Sequence, residues 1–509
     1  MKTIDDLKPL ITALQEIQQI ASAVALLSWD QETHMPLGGG EARAEQLSVL
    51  GALVHEKRIG EEMKRLLSKW LELETGKLQE GDAAWDEPAR GLLREVWNDY
   101  SKSTKLPSDF VRRIGKAASL SHQVWVEARK KNDFPLFAPY LKKMITLKKE
   151  EAAYLGYDDS PYDPLLDSYE PGMTVKQIAP LFAALKADLV PILEKIMVSR
   201  VKLKEDFLHF HYPIAQQLVF GREILEVMGY NFQNGRQDLS AHPFTISFHP
   251  TDVRITTRVE VKDMCSSLFS SIHEGGHALY EQGLSPEYFG SPLGEAVSLG
   301  IHESQSRLWE NCIGRSRPFW RHFYPILQAH FPDQLKTIDL ESYYTAINIV
   351  RPSLIRVEAD ELTYNLHIMV RFEIERALIE GDLDVAELPG LWKEKMREYL
   401  SIVPESDSEG VLQDVHWSGG AIGYFPTYTL GNLYAAQIFR QAKMEIPELS
   451  PQIEKGDLLP LKEWLNKKIH RWGRQYRSGD LIRRITGEPL NPRYFIEALN
   501  EKFGEIYLF

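Results

Sequence analysis

The sequence contains very little cysteine: only Cys265 and Cys312 occur among its 509 residues. Two cysteines cannot form the disulfide framework that stabilises small secreted domains. The acidic opening MKTIDDLKPL lacks the basic region of a secretory leader, and the apolar run 21–29 is too short to span a membrane. We therefore expect a cytoplasmic protein with no membrane partner.

Positive charge is also scarce, since 59 Lys and Arg residues face 72 Asp and Glu residues, giving a formal net charge of -13. Such a chain repels phosphate backbones unless a local patch overrides the overall charge. The most basic stretch, 467–484, alternates Lys and Arg with Trp472 and Tyr476, a mixture also found in nucleic-acid grooves. A solvated basic helix face is the commoner explanation, so we predict no nucleic-acid partner.

Helical periodicity dominates the chain. Hydrophobic residues make up 43% and charged residues 26%, values typical of a soluble globular protein. Apolar residues recur at spacings of three and four, which predicts helices over 3–29, 41–73, 87–100, 110–131, 140–155, 175–204 and 214–228. The segment 242–260 is rich in Thr, Ile, Val and Phe with near alternation, which predicts a short hairpin. No repeat or flexible linker marks a domain boundary.

The motif with the clearest chemistry is HEGGH, in which His273 and His277 are four residues apart within a predicted helix over 261–282. Residues at i and i+4 lie on one helix face, so both imidazoles can bind one metal ion. Glu274 is expected to project toward the same metal ion, where it could act as the general base of a hydrolase. The alternative is that both histidines are structural and Glu274 is a solvated charge.

A catalytic zinc site usually has three protein ligands and leaves one position for water. The HExxHxxGxxH arrangement is excluded, because Tyr280 and Gly283 occupy the positions that would need Gly and His. Ser291-Pro292 is predicted to open a second helix that runs to about residue 312. Two adjacent residues on that helix, His302 and Glu303, are both candidates for the third ligand, and a His2Glu set is a familiar zinc arrangement.

Several further motifs occur in a fixed order along the chain: WDQETHMPLGGGEARAEQ (29–46), HPF (242–244), DVRITTR (252–258), HEGGH, HESQSR, IRVEAD (355–360), GVLQDVHW (410–417) and GYFPTYTLGN. With these motifs the sequence resembles the carboxypeptidase Taq family of thermostable metallocarboxypeptidases over nearly its whole length. The resemblance implies a mainly α, neurolysin-like fold: a large all-helical body with a deep active-site groove and one small antiparallel β-sheet. It also implies one catalytic domain over 1–509, with helical subdomains flanking the groove, and a homodimer.

The implied activity is the release of single residues from peptide C-termini with broad specificity, using one Zn²⁺ or, alternatively, Co²⁺ per chain. By the same resemblance, His273, His277 and Glu303 fall on the metal-ligand positions and Glu274 on the general base. The substrates would be peptides with a free C-terminus.

A carboxypeptidase must also bind a free carboxylate, which a guanidinium grips with two parallel hydrogen bonds. The candidates are Arg351, Arg356, Arg254 and Arg258, of which we favour Arg351 and Arg356. The candidate oxyanion donors are Tyr424 and His416, because the wider fold group uses a Tyr and a His from this region. His242 brackets the hairpin, whose edge could bind substrate backbone.

Asp360 or Asp414 could orient a ligand imidazole. For each arginine a structural salt bridge is the alternative, and for Tyr424 a core aromatic role. A metallo-endopeptidase or dipeptidase on the same metal core is the competing enzymatic function. A peptide-binding scaffold without catalysis is the alternative outside enzymes, and the presence of Glu274 argues against it.

Overall fold

A computed structural model describes residues 1–509, which form 21 α-helices and three β-strands. In chain order these are α1 (Lys8–Thr33), α2 (Gly40–Ile59), α3 (Glu61–Leu67), α4 (Glu87–Lys105), α5 (Ser108–Lys131), α6 (Phe134–Leu155), α7 (Asp163–Asp167), α8 (Val175–Val198), α9 (Ile214–Met228), β1 (Gly235–Leu239), β2 (Thr245–His249), β3 (Asp252–Thr257), α10 (Met264–Gly283), α11 (Leu299–Arg307), α12 (Arg317–His330), α13 (Pro332–Leu335), α14 (Leu340–Ala346), α15 (Thr363–Glu380), α16 (Leu388–Leu400), α17 (Pro426–Glu445), α18 (Leu449–Glu454), α19 (Leu459–Lys468), α20 (Ser478–Thr486) and α21 (Arg493–Tyr507). The predicted mainly α fold is confirmed.

The chain divides into two compact units. The first comprises residues 1–104, 203–347 and 435–490, and the second comprises 105–202, 348–434 and 491–509. Each unit has its own apolar core, because amphipathic helices must bury one face against another element. In the first unit α1, α3 and α4 enclose a cluster that includes Leu10, Leu67 and Leu92, whereas Phe110 and Met144 pack together in the second.

The small sheet lies in the first unit, with strand order β1-β3-β2. β2 and β3 are antiparallel, which confirms the hairpin expected within 242–260. The prediction of a purely antiparallel sheet needs one correction, because β1 pairs with β3 in parallel. The short polar sequence GRQDL of β1 lacks the apolar alternation that identifies a half-buried strand.

Two helices carry the motifs of interest and pack against each other. Asp263 caps the start of α10 by accepting a hydrogen bond from the backbone N–H of Ser266 at 3.1 Å. The second helix, α11, begins at Leu299 and not at the predicted Ser291-Pro292, where residues 292–294 form a 3-10 turn. Ser298 supplies its cap, accepting from the N–H of Ile301.

The stretch Ile4–Thr33, which contains α1, is long and apolar enough to cross a membrane by length and composition, with a hydropathy of 1.4 in its most apolar window. Only 11% of that window is buried. A single such helix does not identify a membrane protein, because core helices and leader sequences meet the same criterion. In this chain α1 packs on α2 and on β2, where the hydroxyl of Ser22 donates to the carbonyl of Phe248 at 2.8 Å.

Candidate metal centre

Helix α10 places the side chains of His273 and His277 one turn apart, as their spacing predicts. Glu303 approaches both from α11: its Oε2 lies 3.6 Å from Nε2 of His273 and 3.3 Å from Nε2 of His277. The donor atoms of the three residues all lie within 4.8 Å of one another. His302, the competing third ligand, is not in this donor group.

The three donors fit a divalent metal. Two ligands about 2.1 Å from a tetrahedral ion are about 3.4 Å apart, which matches the separations from Glu303 to the two histidines. Burial lowers the pKa of His277 to about 3, so its imidazole is neutral, as a metal ligand must be. Glu303 is ionised, because Arg307 and His273 lower its carboxyl pKa more than burial raises it.

The other ring nitrogen of His273 is held by a carboxylate that the sequence did not reveal. Nδ1 of His273 lies 2.9 Å from Oε2 of Glu310. Arg307 links the two carboxylates, donating to Glu303 at 2.7 Å and to Glu310 at 3.2 Å. The i, i+4, i+7 spacing of Glu303, Arg307 and Glu310 was the available signal, because it places them on one helix face.

The prediction that Asp360 or Asp414 orients a ligand imidazole is wrong, because both Nδ1 atoms have other partners. Nδ1 of His277 lies 2.5 Å from Nδ1 of His302. Glu310, which binds the other histidine, lies in a π-helical segment, Leu308–Gly314, that continues α11. Such insertions are frequent at functional sites.

Glu274 follows His273 on α10 and is 7% exposed. The hydroxyl of Thr245, on β2, donates to Oε2 of Glu274 at 2.6 Å. Burial raises the pKa of Glu274, while His273 and the hydroxyl of Thr245 oppose that rise. A raised pKa suits a carboxyl group that must accept a proton and release it again.

The first unit also contains the candidate substrate-binding residues of the sheet region. Arg254, on β3, makes a bidentate ion pair with Asp252, at 2.8 and 2.9 Å, and its guanidinium lies 4.3 Å from the centre of the Trp29 ring. His242 is exposed in the loop before β2. Arg258 is exposed too and lies 3.9 Å from Glu260.

In the second unit, Arg356 and Arg371 share one carboxylate. Arg356 donates to Asp414 at 2.9 and 2.8 Å, and Nε of Arg371 donates to the other oxygen of Asp414 at 2.7 Å. The guanidinium of Arg356 also donates to the hydroxyl of Tyr364 at 2.9 Å. Arg351 is exposed, and its backbone N–H donates to Asp360 at 3.1 Å.

His416 and Tyr424 lie together in the second unit, with ring centres 5.3 Å apart. A residue that the sequence reasoning missed, Tyr428, joins them: its hydroxyl lies 3.4 Å from Nε2 of His416. Burial lowers the pKa of His416 to about 4, so its imidazole is neutral near pH 7. Tyr424 precedes α17 and Tyr428 lies in its first turn, and their ring centres are 5.3 Å apart.

Part of the basic stretch 467–484 pairs with acidic residues of the first unit. Arg474 binds Glu95, Asp99 and Glu295 at 2.8 to 3.0 Å. Arg484 instead packs against the rings of Trp472 and Tyr476. The charge of Arg474 is therefore paired within the first unit and is not part of the solvated basic face that the sequence predicted.

The convergence of an HExxH helix and a glutamate from the next helix on one point is the arrangement typical of HExxH metallopeptidases. The family model for the carboxypeptidase Taq (M32) metallopeptidases matches residues 10–503, and the chain belongs to that family. It is 43% identical over 506 residues to thermostable carboxypeptidase 1 of Thermus thermophilus, covering 97% of each chain. It is 40% identical over 501 residues to carboxypeptidase 1 of Bacillus subtilis, covering 98% of each chain.

Solved structures agree with this assignment. The M32 carboxypeptidase from Deinococcus radiodurans superposes with a TM-score of 0.94 at 38% identity, over 99% of both chains. The carboxypeptidase of Pyrococcus furiosus gives a TM-score of 0.93 at 38% identity, over 98% of both chains.

Proposed function

We propose that this chain releases single amino acids from the free C-termini of peptides, with broad specificity, at one divalent metal bound by His273, His277 and Glu303. Family membership makes it a metallocarboxypeptidase and implies both a divalent metal and peptide substrates. The observation that carries the residue assignment is the convergence of these three donors beside Glu274. Because the family model spans 10–503, we further propose one catalytic domain over 1–509.

When bound, the metal supplies Lewis acidity toward water and toward the scissile carbonyl. Glu274 accepts the proton of the attacking water and delivers it to the leaving amine. Thr245 holds the carboxylate of Glu274 in place with a hydrogen bond. The carboxylate of Glu310, whose side chain is 12% exposed, fixes the ring of His273.

We propose Arg351 and Arg356 as the first candidates for binding the substrate carboxylate. The charges around Arg356 support this role, because two guanidiniums share the single carboxylate of Asp414 and leave positive charge for an anion. Arg254 is the next candidate, although its guanidinium already forms an ion pair with Asp252.

His242 is proposed to contact substrate backbone near β2. Tyr424 and His416 are proposed as oxyanion donors, and their contact within one aromatic cluster supports a shared role. The donor set suits Zn²⁺, with Co²⁺ as the alternative, since availability often decides which metal is loaded. From the family resemblance we propose a homodimer, which size-exclusion chromatography with light scattering tests. The scarcity of cysteine and the net charge of -13 support a cytoplasmic protein that binds neither nucleic acid nor membrane.

The test is mass spectrometry of one peptide and its C-terminal amide, each incubated with and without a chelator. A metallocarboxypeptidase shortens only the free acid, one residue at a time, and the chelator stops it. Internal cuts in both peptides would support the endopeptidase alternative. No cleavage with added zinc or cobalt would support a binding protein.

A second test separates metal binding from proton transfer. Glu274→Gln should keep stoichiometric metal and lose hydrolysis, because an amide cannot accept the water proton. Glu303→Ala, in contrast, should lose metal and activity together. Hydrolysis that persists in Glu274→Gln contradicts the mechanism.

A further inference from the structure

His302 is next to the proposed ligand Glu303 but faces a different atom of the site. Its Nδ1 lies 2.5 Å from Nδ1 of His277, and its Nε2 lies 2.8 Å from Oε1 of Glu281. Glu281 lies one turn after His277 on α10. The three side chains therefore form a continuous row behind one ligand of the proposed metal.

The protons of this row have only one arrangement when His277 uses Nε2 as the ligand atom. Its single proton is then on Nδ1, where it donates to the lone pair of Nδ1 of His302. The proton of His302 is consequently on Nε2, where it donates to the carboxylate of Glu281. Every contact in the row is then one donor facing one acceptor.

Packing holds His302 in this position. The ring of Tyr280 lies against it, with centres 5.2 Å apart, and the ring of His470 lies on Tyr280 at 4.9 Å. Tyr280 and His470 are almost fully buried, whereas the side chain of His302 is 19% exposed. The ring of His302 is thus supported by a stack of side chains and is not a freely rotating surface residue.

We propose that His302, held by Glu281, is a positioning residue that sets the tautomer and ring orientation of His277 for metal binding. The inference rests on the proposed function, because it assumes that Nε2 of His277 binds the metal. The acceptor for a metal-bound histidine is most often a carboxylate or a backbone carbonyl, and its loss costs about 10- to 100-fold in metal affinity. Here a second imidazole supplies the acceptor and passes the interaction on to a carboxylate.

The experiment measures zinc affinity of the full-length protein by competition with a chromophoric chelator, which requires no substrate. His302→Leu removes the acceptor at similar volume and should weaken zinc binding by about 10- to 100-fold. His302→Asn retains a short acceptor near the position of Nδ1 and should recover most of that loss. The visible spectrum of the Co²⁺ form should change in His302→Leu and stay close to wild type in His302→Asn.

The matched control is His330→Leu. His330 pairs with Glu223 at 3.0 Å and its side chain is 20% exposed, so it resembles His302 in partner and exposure. It lies on α12, with its ring against Phe220 and Phe331. Its variant should bind zinc as the wild type does. Zinc affinity of His302→Leu within twofold of His330→Leu overturns the proposal.

If His302→Leu does not fold, Glu281→Leu is measured in its place. It removes the acceptor at the far end of the row and should also weaken zinc binding, whereas unchanged affinity overturns the proposal. Wild-type protein that binds no zinc, or that keeps it in His277→Ala, contradicts the proposed function itself. Normal wild-type binding with an unaffected His302→Leu contradicts only the role of His302.

Discussion

Replacing Gly276 with alanine tests whether the close contact between α10 and α11 positions Glu303. A Cβ on Gly276 would lie 2.7 Å from the carbonyl oxygen of Gln305 and 2.7 Å from Cα of Ser306. Ordinary contact begins at 3.4 Å, so the gap is about 0.7 Å too small. Both neighbours are backbone atoms of α11, so the helix itself must move.

Such a movement exceeds what a metal site tolerates, because ligand distances are held to within about 0.2 Å. We expect Gly276→Ala to lose at least about tenfold in zinc affinity, the lower end of the loss caused by disturbing a ligand's support. The added volume should also destabilise the fold by about 1–3 kcal/mol. Chelator competition measures the affinity, and thermal melting in the presence of chelator measures the stability.

The control is Gly51→Ala on α2 in the same unit. An added Cβ there meets nothing within 4 Å, so the variant should bind zinc normally. Alanine should stabilise this exposed helix by about 0.5–1 kcal/mol. Wild-type affinity and melting temperature in Gly276→Ala would refute the close-contact argument, and a loss of stability alone would show that α11 relaxes without moving Glu303.

Three further perturbations test the environment of the site and the second unit. Thr245→Val should bind metal fully but lower kcat/KM by about 10- to 100-fold, because a hydrogen bond to an ionised group contributes about 1.5–3 kcal/mol. Thr245→Ser keeps the hydroxyl and should restore activity. Glu310→Ala should weaken zinc binding by about 10- to 100-fold in the chelator assay, because it frees the ring of His273; unchanged affinity would contradict that role. Burial raises the pKa of Glu375 to about 7, so its protonated form stabilises the folded protein fully below pH 4.5, and this contribution is lost as the pH rises through 7. Between pH 5 and pH 8, the free energy of unfolding of the wild type should fall by about 2 kcal/mol relative to that of Glu375→Gln, as measured by thermal melting. A difference between the two proteins that does not change with pH would contradict the raised pKa of Glu375.

The sequence predicted the parts of the site that depend on short-range geometry. His273 and His277 share a face because the helical repeat is 3.6 residues, whatever the rest of the chain does. The helix that contains them was visible from its periodicity, and its cap at Asp263 is local as well. The need for a third ligand left both His302 and Glu303 as candidates, and the family resemblance pointed to Glu303.

The sequence patterns did not predict the tertiary contacts of the site. Thr245 and Glu274 are 29 residues apart, and their hydrogen bond exists because β2 packs on α10. Strand β1 was missed because its polar residues carry no periodic signal, and it is held by parallel pairing with β3. Secondary-structure propensity depends on the residues of one segment, so a contact between two packed elements cannot be predicted from either segment alone.

Local helix geometry and tertiary packing together determine where His302 and Glu303 lie. Adjacent helical residues point about 100° apart, so they cannot face the same atom. On α11 this divergence serves the site, because the two side chains approach opposite ends of the ring of His277: Glu303 lies 3.3 Å from Nε2 and His302 lies 2.5 Å from Nδ1. One helix therefore carries both the proposed ligand Glu303 and the proposed acceptor His302, so a shift of α11 should disturb both contacts together.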